Sequence, residues 1–268
     1  MSEEQIVSLQ KQVADLTKTI GFLFEYINKR EREQPRSIKT NRLELYSTAT
    51  GYYYLPADAK GDWIANSIKN ESIFDEYIYD IAKEHIKPHS IVLDIGSNFG
   101  QMAILMSRHV GDGWVYAFDA EPFVYSILEK NIEINNAKVK PYFGAVHHTG
   151  GETLYFPEPD FVRFPTYGSY GIDYVNHEGR AVPTIAVDDL EFPLPVSFMK
   201  VDVQGGDLFA MQGSVKTINK FKMPIVFEYE KEFEQEQGYS FQEYEKFIEK
   251  IGYKIVYEVK SNYLIVPK

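Results

Sequence analysis

Residues 90–110 read SIVLDIGSNFGQMAILMSRHV, and they narrow the fold more than any other stretch. Ile91 to Ile95 is a short apolar run, the mark of a buried strand. Two glycines follow, and then a helical pattern from Phe99 to Val110. The cadence repeats, with a strand at Trp114 to Phe118, a helix at Phe123 to Asn135 and a strand at Val139 to Phe143. It returns later as VSFMKVDV (strand), Gly206 to Asn219 (helix), MPIVFEY (strand) and FQEYEKFIEKIG (helix). Alternation of this kind implies an α/β fold, a parallel sheet with helices on both faces. The tail YKIVYEVKSNYLIVP reads as a closing hairpin turned at Ser261 and Asn262, which adds an antiparallel strand.

Ahead of that domain, NRLELYSTATGYYYLP reads as two strands around Thr50 and Gly51, and DEYIYDIAKEHIKPHS as a helix stopped near Pro88. Further upstream, Ile6, Leu9, Val13, Leu16, Ile20, Leu23 and Ile27 recur at strict 3,4 spacing. β-Branched residues fall at a and leucines at d, which favours a parallel dimer. Positions e and g carry no charge code, so a trimer stays open, as does an amphipathic helix lying on its own domain. NKREREQPRS then reads as a linker. The expected organisation is a coiled-coil helix and linker at 1–34, an extension at 35–90 and the main domain at 91–268.

Composition excludes several functions. A net charge of −11 without a basic block argues against nucleic-acid backbone and anionic membrane surfaces. The absence of Cys excludes disulfides, thiol nucleophiles and Cys-ligated zinc. No apolar run approaches the roughly 20 residues of a membrane span, and the N-terminus does not read as a signal peptide. A cytoplasmic protein is expected.

A parallel sheet binds ligands outside the carboxyl ends of its strands. Asp94, Asp119, Asp202 and Glu228 all fall at or near such ends, an arrangement suited to something cationic or rich in hydroxyls. Gly96 and Gly100 bracket a strand-to-helix turn, where glycine permits positive φ and lets a ligand approach the backbone; a tight turn alone is the other reading. Asp119 ends the next strand, at the spacing used to hold ribose hydroxyls. G-x-G-x-x-G would need its second Gly where Asn98 stands, so a dinucleotide, and with it an oxidoreductase, fits less well.

The ordered motifs DIGSNFG, YAFDAEP, LEKNIEIN, TIAVDDL, MKVDVQGGDLFAMQG, PIVFEYE and NYLIVP resemble those of the FkbM-type methyltransferases, a class I family that uses S-adenosylmethionine. The resemblance spans roughly Tyr54 to Lys268. It implies that Asp94 and Gly96 meet the amino acid end of the cofactor, with Ser97 and Asn98 lining the turn and Gly100 letting the helix start close by. Asp119 would hold the ribose. Glu121 and Phe123 would flank the adenine, Ala145 and Val146 would border its ring, and Ala120 would count among the cofactor-binding residues. Where the family usually has Glu in its DVEG block, this chain has Gln204. Asp202 and Glu228, with Glu230 nearby, occupy places comparable to the Mg²⁺ ligands of catechol-type methyltransferases; the alternative is that Asp202 caps the helix that follows.

Moving a methyl group to a hydroxyl needs one proton removed, and the candidate bases are Asp202, His147, His148 and Glu228. Phe156 to Tyr174 holds six aromatics, three prolines and two glycines in 19 residues; aromatic faces stack on sugars. The expectation is an S-adenosylmethionine-dependent O-methyltransferase acting on a sugar, glycoconjugate or other hydroxylated small molecule, assembled as a homo-oligomer. A non-catalytic scaffold with a vestigial methyltransferase domain is the alternative of a different class.

Overall fold

The computed structural model describes residues 42–161, 166–174 and 176–268, with the side chains of 235 and 236 excepted. The heptad segment, its linker and Arg163, expected to supply polar contacts in the aromatic stretch, lie outside the described residues.

The chain order is β1 (Leu43–Thr48), β2 (Gly51–Pro56), α1 (Trp63–Lys69), α2 (Glu76–His85), β3 (Ile91–Ile95), α3 (Gln101–Ser107), β4 (Trp114–Asp119), α4 (Pro122–Ile134) and β5 (Val139–Phe143). There follow β6 (Ala145–Val146), β7 (Thr153–Phe156), β8 (Arg180–Ile185), β9 (Val196–Val201), α5 (Asp207–Gln212), α6 (Val215–Phe221) and β10 (Ile225–Glu228). The chain ends with α7 (Glu234–Gln237), α8 (Phe241–Lys250), β11 (Tyr253–Val259) and β12 (Asn262–Pro267).

The main sheet runs β11-β12-β10-β9-β3-β4-β5. Pairing is parallel from β10 through β5, and β12 is antiparallel to both neighbours. The expected α/β architecture with its C-terminal antiparallel hairpin is therefore present. All five residues of β3 are buried, as a strand covered on both faces requires. Val92, with Val115, Ala117 and Phe198, packs against α2, α3 and α4. Ile91, Leu93 and Ile95 face the other way, toward α5, α6 and α8. The two-residue period of the strand thus assigns each side chain to a layer, and Asp94 shares the layer of Val92.

The paired asparagines of LEKNIEIN fasten the β1–β2 hairpin to this body. Asn131 is fully buried; its Oδ1 accepts from Tyr54 N at 2.6 Å, and its Nδ2 donates to Tyr54 O at 3.2 Å and Phe99 O at 2.9 Å. One turn on, Asn135 treats Tyr52 likewise, accepting from its N at 2.9 Å and donating to its O at 2.6 Å. Four-residue spacing puts both amides on one helix face, and each imitates the peptide group of an adjacent strand.

Several expectations need correction. The helix read as Gly206 to Asn219 is two helices. It breaks at Gly213, where a Cβ would lie 2.0 Å from the His147 carbonyl oxygen. Asp188 restarts it, accepting from Lys216 N and Thr217 N at 2.8 Å each, as a side-chain cap does. The helix read as Phe99 to Val110 spans only Gln101–Ser107. The final turn uses Lys260 and Ser261, at φ 46° and 64°, and Asn262 already belongs to β12. The small sheet β6-β8-β7 has no counterpart in the sequence reading.

Candidate functional site

The order of the sheet reverses at β3: the chain goes outward through β4 and β5, then returns to add β9 and β10 on the other side. A crevice opens at the carboxyl ends of β3 and β9, where such a sheet takes ligands. There the loops after the two strands touch. Gly96 sits at φ 81°, and a Cβ on it would lie 1.7 Å from the carbonyl oxygen of Asp202. The neighbour that demands glycine is thus protein backbone. At Gly100 (φ 85°) the neighbour is Leu128, whose Cδ1 would lie 2.5 Å from a Cβ.

The carboxylate within β3 has a partner of its own strand layer. Asp94 and Lys200 stand opposite each other in the parallel register, and Asp94 Oδ1 lies 3.5 Å from Lys200 Nζ. Asp94 is fully buried; burial raises its pKa and the ammonium opposes that rise. Lys200 Nζ also donates to Gly96 O at 2.9 Å and pairs with Asp202 Oδ2 at 3.2 Å. Burial pulls the lysine pKa down, yet Asp202 and Asp94 together hold it above the ordinary value. One cation therefore ties the turn after β3 to the turn after β9. Lys200 is not among the residues expected from the sequence; its signal there is a lysine inside the apolar run VSFMKV.

The crevice is walled by the turns after β3, β4 and β9 together with the aromatic stretch. Of the sequence-predicted residues, Gly96, Asn98, Asp119, Ala120, Glu121, Ala145, Val146 and Asp202 line it. Asp119 accepts from Asn98 N and Glu121 N at 2.9 Å each, and burial pushes its carboxyl up to about 7. Glu121 is already engaged. Its Oε2 caps α4 through Val124 N at 2.6 Å, and its Oε1 pairs with Arg180. Ser97 is buried with its Oγ donating to Asp94 O at 2.7 Å, and lines a smaller cavity behind the turn with Gly96, Asn98, Lys200 and Asp202.

The remaining predicted residues stand back from the larger cavity. Phe123 packs against Phe161 and Tyr167. His147 is buried, 4.7 Å from the Phe209 ring and 4.1 Å from that of His148. Burial, then His148, lowers its pKa to about 4, so the imidazole is neutral. His148 is exposed on the same loop. Glu228 lies behind Asp202. The aromatic stretch, by contrast, forms a wall through Tyr167, Tyr170 and Tyr174. Asp62 anchors it, accepting from Tyr167 N at 2.6 Å while it caps α1 through Ala65 N at 2.6 Å. Tyr167 OH adds a bond to Asp58 at 3.0 Å.

Asp202 and Glu228 do not fit the expected Mg²⁺. Gln204 Nε2 donates to Asp202 Oδ1 at 3.4 Å and to Glu228 Oε2 at 3.3 Å, so a hydrogen-bond donor stands where both would aim at a cation. Burial first, then Asp202, pushes the Glu228 carboxyl up to about 10, which keeps it protonated. Glu230 nearby is likewise raised by burial. Among the described residues no group of three or more His, Asp or Glu is placed to hold a metal ion. The alternative cap is not made by Asp202 either: Asp207 accepts from Val203 N at 3.2 Å and Glu228 N at 3.0 Å, tying the start of α5 to β10.

The family model for the methyltransferase FkbM domain matches residues 94–255. Among curated proteins, methyltransferase sdnD of Sordaria araneosa is 28% identical over 98 residues, 37% of this chain and 35% of that protein. The matched segment thus spans about a third of that relative's length. Among solved structures, a methyltransferase FkbM from Methylobacillus flagellatus KT aligns at a TM-score of 0.44 and 12% identity, over 70% of this chain and 50% of that one. TYW2 of M. jannaschii, solved in complex with AdoMet, aligns at 0.44 and 15%, over 86% of each chain. Matched by the family model over well more than half its length, with the motif turns gathered around one crevice, the chain belongs to the FkbM methyltransferase family.

Proposed function

We propose that this protein transfers a methyl group from S-adenosylmethionine to a hydroxyl oxygen of a sugar, glycoconjugate or similar hydroxylated small molecule. The observation that carries the reading is the meeting, in one crevice, of Asp119 from the end of β4 and Asp202 from the end of β9. Bound there, S-adenosylmethionine supplies an electrophilic methyl on a positively charged sulfur.

The chain's part is binding, orientation and removal of one proton. Asp119 keeps lone pairs beyond those given to the two backbone amides, and these would accept from the ribose hydroxyls. Ala120, Ala145 and Val146 supply apolar wall beside it, suited to a flat adenine. The turn Gly96–Asn98 would carry the amino acid end. An acidic rim favours a sulfonium ion over its neutral product, so the same charges that help loading would help release. Asp202 faces the cavity and is the candidate that would take the acceptor's proton, directly or through a water. Lys200 and Gln204 fix the direction of its carboxylate. His147, His148 and Glu228 stand outside the larger cavity's wall and have no assigned step. No step runs through Mg²⁺. The tyrosines of the aromatic wall offer ring faces to an acceptor sugar.

The test is methyl transfer itself. Purified protein is incubated with S-adenosylmethionine labelled in its methyl group and a panel of hydroxylated and amine acceptors, followed by mass spectrometry. Label on an oxygen of a sugar supports the reading, and label on amines alone replaces it. Glycans from a deletion strain that lack one methyl group would name the natural acceptor.

A further inference from the structure

The turn after β9 reads DVQGG and is held from both sides. Gln204 has φ 51° and Gly205 φ 85°, a left-handed pair that a longer side chain at 205 could not join. A Cβ on Gly205 would lie 2.7 Å from Phe233 Cγ, and a Cβ on Gly171 of the aromatic wall would lie 2.7 Å from Gln204 O. The backbone therefore sets where the Gln204 side chain points, which is back into the rim. There one amide group reaches two carboxyls, Asp202 Oδ1 at 3.4 Å and Glu228 Oε2 at 3.3 Å. The other oxygen of Asp202, Oδ2, is 3.2 Å from the Lys200 ammonium. Each oxygen of Asp202 thus faces a resident donor, an amide on one side and an ammonium on the other.

A divalent cation of the Mg²⁺ type needs these oxygens for itself, since it is held by carboxylates, carbonyls and water. We propose that Gln204 is a positioning residue that, with Lys200, occupies the place of a metal, so that the rim presents Asp202 without a divalent ion. Exchange of that amide for a third carboxylate would put Asp202, Glu228 and residue 204 around one point and turn the rim into a cation site. The consequence for turnover rests on the reading of Asp202 as the group that faces the acceptor. The geometry of the bridge does not rest on it.

The probe is Mn²⁺, followed by calorimetry on the full chain, with S-adenosylhomocysteine affinity measured on the same preparations. The expected result is no Mn²⁺ site at the rim of the wild type and a gain in Mn²⁺ affinity of at least about tenfold in Gln204→Glu. That gain should disappear in Gln204→Glu combined with Asp202→Asn. Mn²⁺ binding by the wild type that Asp202→Asn removes would overturn the proposal, as would a folded Gln204→Glu that gains nothing. A second measurement covers failure of that variant to fold. By nuclear magnetic resonance, the Gln204 side-chain amide protons of the wild type should exchange with water at least about tenfold more slowly than those of exposed glutamines, and Asp202→Asn should shift them. Exchange as fast as at the surface would overturn the bridge. Loss of S-adenosylhomocysteine binding in the wild type would refute the cofactor reading alone and leave these outcomes legible.

Discussion

Asp119 carries the heaviest single role in the proposed chemistry, and its replacement is the most direct residue-level test. Asp119→Ala is expected to weaken S-adenosylhomocysteine binding by roughly 1.5–3 kcal/mol, the loss of a charged hydrogen-bond acceptor; calorimetry showing unchanged affinity in a folded variant would remove it from the site. Its carboxyl titrates at about 7, and ribose hydroxyls prefer the ionised form. Affinity should therefore rise between pH 6 and 8 in the wild type and stay flat in Asp119→Ala. Glu228 gives a second pH test with a definite sign. Its carboxyl is raised from 4.5 to about 10 by burial and by Asp202, so the folded state holds the proton more tightly than the unfolded one. The stability this lends is complete below pH 4.5 and fades as the pH climbs toward 10. Glu228→Gln copies the neutral form, so its melting temperature should climb relative to wild type between pH 5 and 9. A difference that does not change with pH would show an ordinary carboxyl. Asp119 was legible in the sequence because an acid that ends a strand needs no tertiary knowledge to be placed. Lys200 was not. A lysine in an apolar run acquires meaning only through register, and the pairing of β3 with β9 joins residues more than 100 positions apart.

At the scale of elements, the asparagine pair at the end of α4 is a local device that can be tested. Asn131→Ala would strand the Tyr54 amide and carbonyl and the Phe99 carbonyl, groups that Asn131 now satisfies. Buried polar groups left unmatched cost about 1–3 kcal/mol each. A net loss of about 2–3 kcal/mol is expected, read from urea denaturation; a loss under about 0.5 kcal/mol would mean that water replaces the amide. The long strands and helices were legible because each repeats its pattern over several residues. The sheet β6-β8-β7 was not. β6 has two residues and β7 four, too few for a period to show. The break at Gly213 was hidden for another reason: the sequence there still reads as a helix, and the approach of the His147 carbonyl that splits it comes from a loop 66 positions earlier.

At the scale of the molecule, the heptads of residues 6–27 remain a proposal. Seven apolar residues at 3,4 spacing would build a parallel dimer before a trimer. Three heptads are marginal alone, so the larger domains would share contact as well. Deletion of residues 1–34 is expected to lower the oligomeric state, by light scattering, while methyl transfer to a small acceptor persists. A full-length monomer would refute the coiled coil. One feature of the sheet also bears on how the protein is made. The strand nearest the end of this chain, β12, sits inside the sheet, between β10 and β11. Until residues 262–267 leave the ribosome, β10 has no partner on that side, and Ile225, Val226 and Phe227, all buried in the finished fold, border an open edge. Until then that edge is of the kind on which a neighbouring polypeptide can add a strand, and β12 is the segment that closes it.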